Sequence, residues 1–181
     1  MKKSYFTIAL ILAIFCLFPV AGFAQRAPIN VNLIIDGSSS FADSKVEIVN
    51  WVNSRLDQIL IDGDRVTVWG AGSSARVIYS GTINSRSDRD AVKRSYSELS
   101  ASGTAADFSG ALREAARIPG TGFSYTLLIS ASPESLTSVL SGPQANLLRH
   151  SRVEEFPGWR ALVVGLDIDT RVRRAAAAFL R

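Results

Sequence analysis

The sequence predicts an α/β domain in which one sheet carries helices on both faces. Short apolar runs alternate with longer amphipathic segments along the chain, which is typical of this class. The first run, residues 31–35 (VNLII), is too continuously apolar for a sheet with one face in water. The first long segment, residues 42–60, has the apolar spacing of a helix that packs by one face.

The predicted strands follow the apolar runs, at residues 31–35, 65–69, 76–79, 125–129 and 160–166. The second and third are joined by GAGSSA at residues 70–75, a linker short enough for a hairpin. Strands joined in this way are antiparallel.

The predicted helices lie between these strands. In residues 42–60 the core positions are Val46, Val49, Val52, Leu56, Ile59 and Leu60. Helices follow at residues 88–99 and through Ala111, Leu112, Ala115 and Ile118, where Pro119 and Gly120 end the latter. We expect a short helix near residues 144–150 and a final one, capped by Asp169 or Thr170, that reaches Arg181.

Residues 1–24 have the pattern of a secretory signal peptide. Lys2 and Lys3 precede an apolar run over residues 5–20, and small residues follow at the expected cleavage position. The run is short for a membrane anchor and has no basic cluster after it. We therefore expect a periplasmic or extracellular protein in which residues 25–181 form one domain.

Composition excludes several kinds of site. The formal net charge is +4, and loss of Lys2 and Lys3 with the leader lowers it to +2, which does not indicate nucleic-acid binding. Cys16 is the only cysteine and lies in the leader, so the remaining residues offer neither disulfides nor cysteine zinc sites. His150 is the only histidine, which excludes most imidazole-based centres.

The stretch DGSSS after the first strand is a candidate metal site. In an open parallel sheet, ligands bind beyond the carboxyl ends of the strands. Asp36 lies at such an end, and the hydroxyls of Ser38 and Ser40 can point toward the same place if the loop curls. Hard cations such as Mg²⁺ prefer these oxygen ligands. The alternative is that Asp36 and the serines cap the helix starting near Ala42.

The order of motifs resembles that of von Willebrand factor A domains. DGSSS matches the D-x-S-x-S motif of that family, and residues 65–81 are similar to its second and third strands, the third being an antiparallel edge. Residues 103–117 look like the helix after the metal-site threonine. Residues 125–132 and 161–169 are similar to the two strands that follow.

The resemblance implies a doubly wound, mostly parallel sheet with one antiparallel edge strand. It also implies a metal-ion-dependent adhesion site, at which Mg²⁺ or Mn²⁺ is completed by an acidic group of a partner protein. Carried over to this sequence, the metal ligands are Asp36, Ser38, Ser40 and Thr104.

The sequence departs from the family pattern in three ways. Ala131 stands where the family has an aspartate, which lowers the negative charge for a divalent ion. Thr104 is two residues early, and Thr104 to Asp107 also matches a capping box. The family's last strand and helix are missing after the helix that follows residues 161–169, so we expect a truncated sheet whose edge is exposed or covered by a partner.

Enzymatic interpretations lack key residues. GAGSSA matches a dinucleotide fingerprint, but a strand-like run follows it instead of a helix. An aspartate-based phosphatase would need a second aspartate where Ser38 stands. A serine hydrolase would need His150 near a serine, and no G-x-S-x-G elbow is present.

The sequence therefore favours a secreted binding domain without catalytic residues, with a metal-free scaffold of the same fold as the alternative. Four arginines near the end, Arg171, Arg173, Arg174 and Arg181, are typical of a solvated helix face; an anionic partner or membrane surface is the other interpretation.

Overall fold

A six-stranded mixed sheet forms the centre of the fold. The computed structural model describes residues 26–118, 123–132, 136, 139, 141, 148–157 and 159–167. The strand order is β3-β2-β1-β4-β6-β5. The strands are β1 (Asn30–Asp36), β2 (Arg65–Ala71), β3 (Ala75–Thr82), β4 (Phe123–Ser130), β5 (Leu148–Phe156) and β6 (Trp159–Asp167).

Three helices have described bounds, and they cover both faces of the sheet. They are α1 (Phe41–Ile59), α2 (Arg86–Ser97) and α3 (Phe108–Ala115). Leu33 and Ile35 of β1 pack in one core with α1 and α2, whereas Ile34 packs in a second core with α3. Because successive residues of a strand point to opposite faces, the continuous apolar run of β1 supplies both cores. The predicted α/β class is confirmed.

The central part of the sheet is parallel. β1 pairs in parallel with β2 on one side and with β4 on the other, so the carboxyl ends of all three strands lie at one edge. β3 pairs antiparallel with β2, which confirms the predicted hairpin. The turn between these strands takes the chain across the same edge.

The far side of the sheet differs from the expectation of a mostly parallel sheet with a single antiparallel edge strand. β6 pairs antiparallel with β4, and β5 pairs antiparallel with β6. The family resemblance had implied that residues 161–169 run parallel to the centre. Pro157 lies in the turn between β5 and β6, and a connection this short joins only antiparallel neighbours.

The short helix predicted near residues 144–150 is wrong for residues 148–150, because these residues belong to strand β5. Among the described strands, β5 has a neighbour on one side only. Its sequence, LRHSRVEEF, is mostly polar, as is common for an edge strand, so it lacks the apolar run that marks the other strands. Residues 144–147, the signal peptide and the predicted final helix lie outside the described residues.

The packing face of α1 is rotated from the predicted one. Val52 and Leu56 are buried as expected, together with Phe41 and Ile48. Val46, however, is 76% exposed and Ile59 is 42% exposed. Apolar spacing identified the helix correctly but wrongly predicted that Val46 and Ile59 are buried. Within the described residues, no helix is long and apolar enough to span a bilayer.

Candidate functional site

Asp36 is buried at the carboxyl edge of the three parallel strands. It is the last residue of β1 and stands opposite Ala71, the last residue of β2. Ser130 ends β4 on the other side. The parallel register therefore brings the ends of three strands, separated widely in sequence, around one carboxylate.

Both carboxylate oxygens of Asp36 accept hydrogen bonds. Oδ1 accepts from the backbone N–H of Ser38 at 2.8 Å, and Oδ2 accepts from Oγ of Ser130 at 2.7 Å. The side chain has no exposed surface. Among the ion pairs of the described residues, none involves Asp36. The site thus contains a buried acid whose described partners are both neutral.

The side chains of Ser38 and Ser40, which follow Asp36 in the sequence, contact each other. Their Oγ atoms lie 2.8 Å apart, within hydrogen-bond distance. Ser38 is buried, whereas Ser39 and Ser40 are exposed. Ser40 is the N-cap residue of α1, but its side chain makes no capping hydrogen bond. Ser40 therefore does not cap α1 as the alternative interpretation of the sequence required, and its hydroxyl points to Ser38 instead.

Backbone hydrogen bonds fix this turn to the end of β2 and to the loop between α2 and α3. The N–H of Gly37 donates to the carbonyl of Ala71 at 2.7 Å, and the carbonyl of Gly37 accepts from the N–H of Ser102 at 2.8 Å. The N–H of Ser39 donates to the carbonyl of Gly103 at 3.0 Å. A Cβ atom on Gly37 would lie 3.2 Å from the carbonyl oxygen of Ala71, so a larger residue would crowd this contact.

Thr104 is exposed in the loop before α3. It follows Gly103, whose carbonyl accepts the hydrogen bond from Ser39. The loop therefore passes beside residues 37–40, which we call the serine turn. Within the described residues, however, no hydrogen bond joins Thr104 to Asp36, Ser38 or Ser40. The capping-box interpretation of Thr104 is wrong, because α3 starts at Phe108 and its N-cap is Asp107, whose Oδ1 accepts from the N–H of Gly110 at 2.7 Å.

Sequence reasoning missed Ser130. A signal was present, because Ser130 is the first hydroxyl after the apolar residues LLI and ends its strand as Asp36 ends β1. The next residue, Ala131, is half-buried and packs against the core of α1 and α2. The side chain that reaches Asp36 from β4 is therefore a hydroxyl one residue before the position at which an aspartate was expected.

The chemistry of these side chains suits a hard cation better than a soft one. One carboxylate and two paired hydroxyls offer oxygen ligands only, and Mg²⁺ is commonly held by one or two carboxylates with water completing its shell. In the part of the chain that the structure describes, no group of three or more His, Cys, Asp or Glu side chains could hold a metal ion. Any ion at Asp36 would therefore need hydroxyl oxygens or water beside this one carboxylate.

Asp64 is the second buried acid, and its environment is different. Arg26 forms an ion pair with it, with Nη2 2.6 Å from Oδ2. The N–H groups of Ile29 and Ile61 each donate to it at 2.9 Å. Burial alone would raise the pKa of the Asp64 carboxyl, but the hydrogen bonds from Arg26 and from these two backbone groups lower it below its usual range.

No protein-family model matches the sequence, and no curated protein matches it. Among solved structures, the chain is similar to a von Willebrand factor type A protein from Catenulispora acidiphila, at 24% identity over 52% of this chain and with a TM-score of 0.45. It is also similar to proximal thread matrix protein 1 from the mussel byssus, at 16% identity over 52% of this chain and with a TM-score of 0.43. The matches cover 23% and 26% of those two chains.

Proposed function

We propose that this chain is a von Willebrand factor A-like domain that binds another protein. In this proposal Asp36, Ser38 and Ser40 hold Mg²⁺ or Mn²⁺, and an acidic group of the partner completes the site. Thr104 is proposed as a further ligand, supplied by the loop that contacts the serine turn.

The observation that carries the proposal is the buried carboxylate of Asp36, which has no basic partner among the described residues. Buried charges in proteins are usually paired or bound to metal ions. Asp64 follows this rule through Arg26. A divalent cation would supply the missing positive charge at Asp36, and the hydroxyls of Ser38 and Ser40 add neutral oxygen ligands.

The site supplies too little negative charge to neutralise a divalent cation, so an acidic group of the partner can complete it. One carboxylate leaves a divalent cation with excess positive charge, since Ala131 contributes none. An acidic side chain from outside would be attracted to that charge. The bound ion would therefore act as an electrostatic link between this domain and a partner's carboxylate.

A metal-free scaffold with the same fold is the second candidate. It is favoured by the hydrogen bonds that Asp36 already accepts from Ser38 and Ser130 and by the Ser38–Ser40 contact. In that case the polar cluster stabilises the edge of the sheet, and binding would use another surface. Catalysis is not part of either proposal, and a Mg²⁺-dependent phosphatase is the least favoured alternative because Ser38 replaces the second aspartate.

The proposed location is the periplasm or the outside of the cell, on the basis of the leader pattern in residues 1–24. Amino-terminal sequencing of the protein purified from cell-envelope and medium fractions tests this part: a first residue near Gln25 supports it, whereas an intact Met1 in the cytosolic fraction contradicts it.

Calorimetry tests the metal site. We expect heat from Mg²⁺ and Mn²⁺ with the wild-type chain and none with Asp36→Asn, which keeps the shape of the side chain but removes its charge. Ser74→Ala, in the exposed turn after β2, is the control and should bind as the wild type does. Absence of heat with the wild-type chain would favour the scaffold.

Pull-down from envelope extracts tests the partner. The wild-type chain should retain a protein in Mg²⁺ and lose it with a chelator, and Asp36→Asn should retain none in either condition. Retention that is indifferent to chelator and to Asp36→Asn would contradict metal-assisted binding. Phosphatase activity that requires Mg²⁺ and Asp36 would overturn the proposal of a binding domain.

A further inference from the structure

A wide groove lies between the second half of α1 and the first residues of β1 and β4. Its volume is about 660 Å³. It lies on the α1 face of the sheet and extends toward the edge opposite Asp36, because its strand residues come from the amino-terminal parts of both strands. We call it the α1 groove; its residues include Ile29, Val31, Leu33, Trp51, Leu56, Ile59, Ile61, Tyr125 and Leu127.

The α1 groove is mainly apolar, with charged groups at its rim. Ile59 is 42% exposed there. At the rim, Nη2 of Arg55 lies 3.2 Å from Oε2 of Glu154, and the guanidinium of Arg55 lies 5.3 Å from the centre of the Trp51 ring. A contiguous apolar surface with a polar rim is typical of a surface that another segment or molecule covers.

β6 ends close to the α1 groove, directly before residues 168–181. Asp167 stands opposite Phe123 at the start of β4, and the next residue of β4, Ser124, stands opposite Asn30 at the start of β1. β6 therefore ends at the edge of the sheet to which the α1 groove extends. Residues 168–181 need no long connection to reach it.

The sequence of residues 168–181 has a stripe that matches an apolar groove. Val172, Ala175, Ala176, Phe179 and Leu180 are spaced i, i+3, i+4, i+7 and i+8, which places them on one face of a helix. The four arginines fall on other positions. A helix of about 12 residues is roughly 18 Å long, and alanines in its stripe permit close approach to a sheet.

We propose that residues 168–181 occupy the α1 groove as a helix, with this stripe toward Leu56, Ile59 and Tyr125 and with the arginines toward water. Residues 1–25 directly precede Arg26, which also lines the groove, but residues 5–20 are apolar without a polar face. A helix that is apolar all round would leave most of its apolar surface in water. The groove is thus an intramolecular docking surface, separate from the Asp36 site.

Photo-crosslinking in the full-length chain tests this assignment. The photoreactive residue p-benzoylphenylalanine replaces Ile59 in the groove, and in a second chain it replaces Val77, which is 49% exposed on β3 at the other side of the sheet. Mass spectrometry then identifies the attached peptide. We expect adducts to residues 168–181 from position 59 and none to that segment from position 77.

Two further variants separate specific docking from proximity. Phe179→Asp places a charge in the stripe and should abolish the adduct from position 59, whereas Arg174→Asp, outside the stripe, should retain it. The proposal is overturned by adducts from position 59 to residues 1–25, to a second copy or to another protein, by no adduct, or by equal effects of the two substitutions.

Discussion

The hydroxyl of Ser130 donates a hydrogen bond of 2.7 Å to Oδ2 of Asp36, although the two residues are 94 positions apart in the chain. Ser130→Ala removes this donor and leaves a buried carboxylate oxygen with one fewer partner. We expect a loss of about 1–3 kcal/mol in the free energy of unfolding. Urea unfolding measures it, and Ser74→Ala, exposed in the β2–β3 turn, should change stability by less than about 0.5 kcal/mol. Equal effects would contradict a structural role for the Ser130 hydroxyl.

Ser39 and Ser40 provide a matched pair for the metal proposal. Both are exposed, but only Ser40 has its hydroxyl within hydrogen-bond distance of Ser38. Ser40→Ala should weaken Mg²⁺ binding about 5-fold or more, on the order of 1 kcal/mol for one oxygen ligand. Ser39→Ala should leave affinity unchanged. Calorimetry at constant ionic strength measures both, and the reverse order would exclude Ser40 as a ligand.

The acid stability of the chain should depend on Asp64. Its pKa is lower in the folded protein than in the unfolded chain, so the unfolded chain binds the proton more readily. The stabilisation is therefore present above the unfolded pKa of about 3.9 and is lost as the pH falls through the folded value. Asp64→Asn should lower stability at pH 7 and flatten the dependence below about pH 4.

Urea unfolding from pH 7 to pH 2 measures this effect. Asp62→Asn is the control, because Asp62 is 68% exposed and pairs with Arg89 at 3.0 Å in water. Exposed pairs contribute little. If Asp62→Asn reduced the loss of stability at acid pH as much as Asp64→Asn does, the buried ion pair with Arg26 would not be the cause of that loss.

Tyr96 should determine the alkaline limit of stability. The ring is buried, its hydroxyl donates a hydrogen bond to Oδ1 of Asn53, and burial raises its pKa, with the charge of Asp57 adding to the shift. The neutral phenol is therefore favoured in the folded state, so stability falls as the pH rises above the unfolded value of about 10. Tyr96→Phe should cost about 1 kcal/mol at pH 7 and flatten this decline. Parallel curves above pH 10 for both chains would refute the assignment.

Much of the architecture was predictable because strands and helices leave a local pattern of apolar residues in the sequence. Continuous apolar runs gave β1, β2 and β4, and the short GAGSSA linker gave the β2–β3 hairpin. These features are local, and burial on both faces reinforces them. β5 was missed for the same reason: an edge strand buries little, so polar residues are tolerated and the apolar signal is absent.

The site was predictable only in part. Asp36 at a strand end follows from the pattern, but its partner Ser130 follows from the register between β1 and β4, which no local pattern specifies. Thr104 was one candidate for the N-cap of α3, because Thr104 and Asp107 are both good capping residues. Competition between two adequate caps is decided by the loop, which hydrogen bonds fix at Gly103 and at Asp107.

The position of β1 has a consequence for biosynthesis. Of the described strands this one is made first, yet both of its neighbours in the sheet, β2 and β4, come later in the chain. While the ribosome is still adding residues 37–122, the nascent VNLIID segment lacks one or both partners and is prone to associate with other chains. A chaperone that shields this hexapeptide until β4 is synthesised would therefore raise the yield of folded protein more than one acting on the last strands.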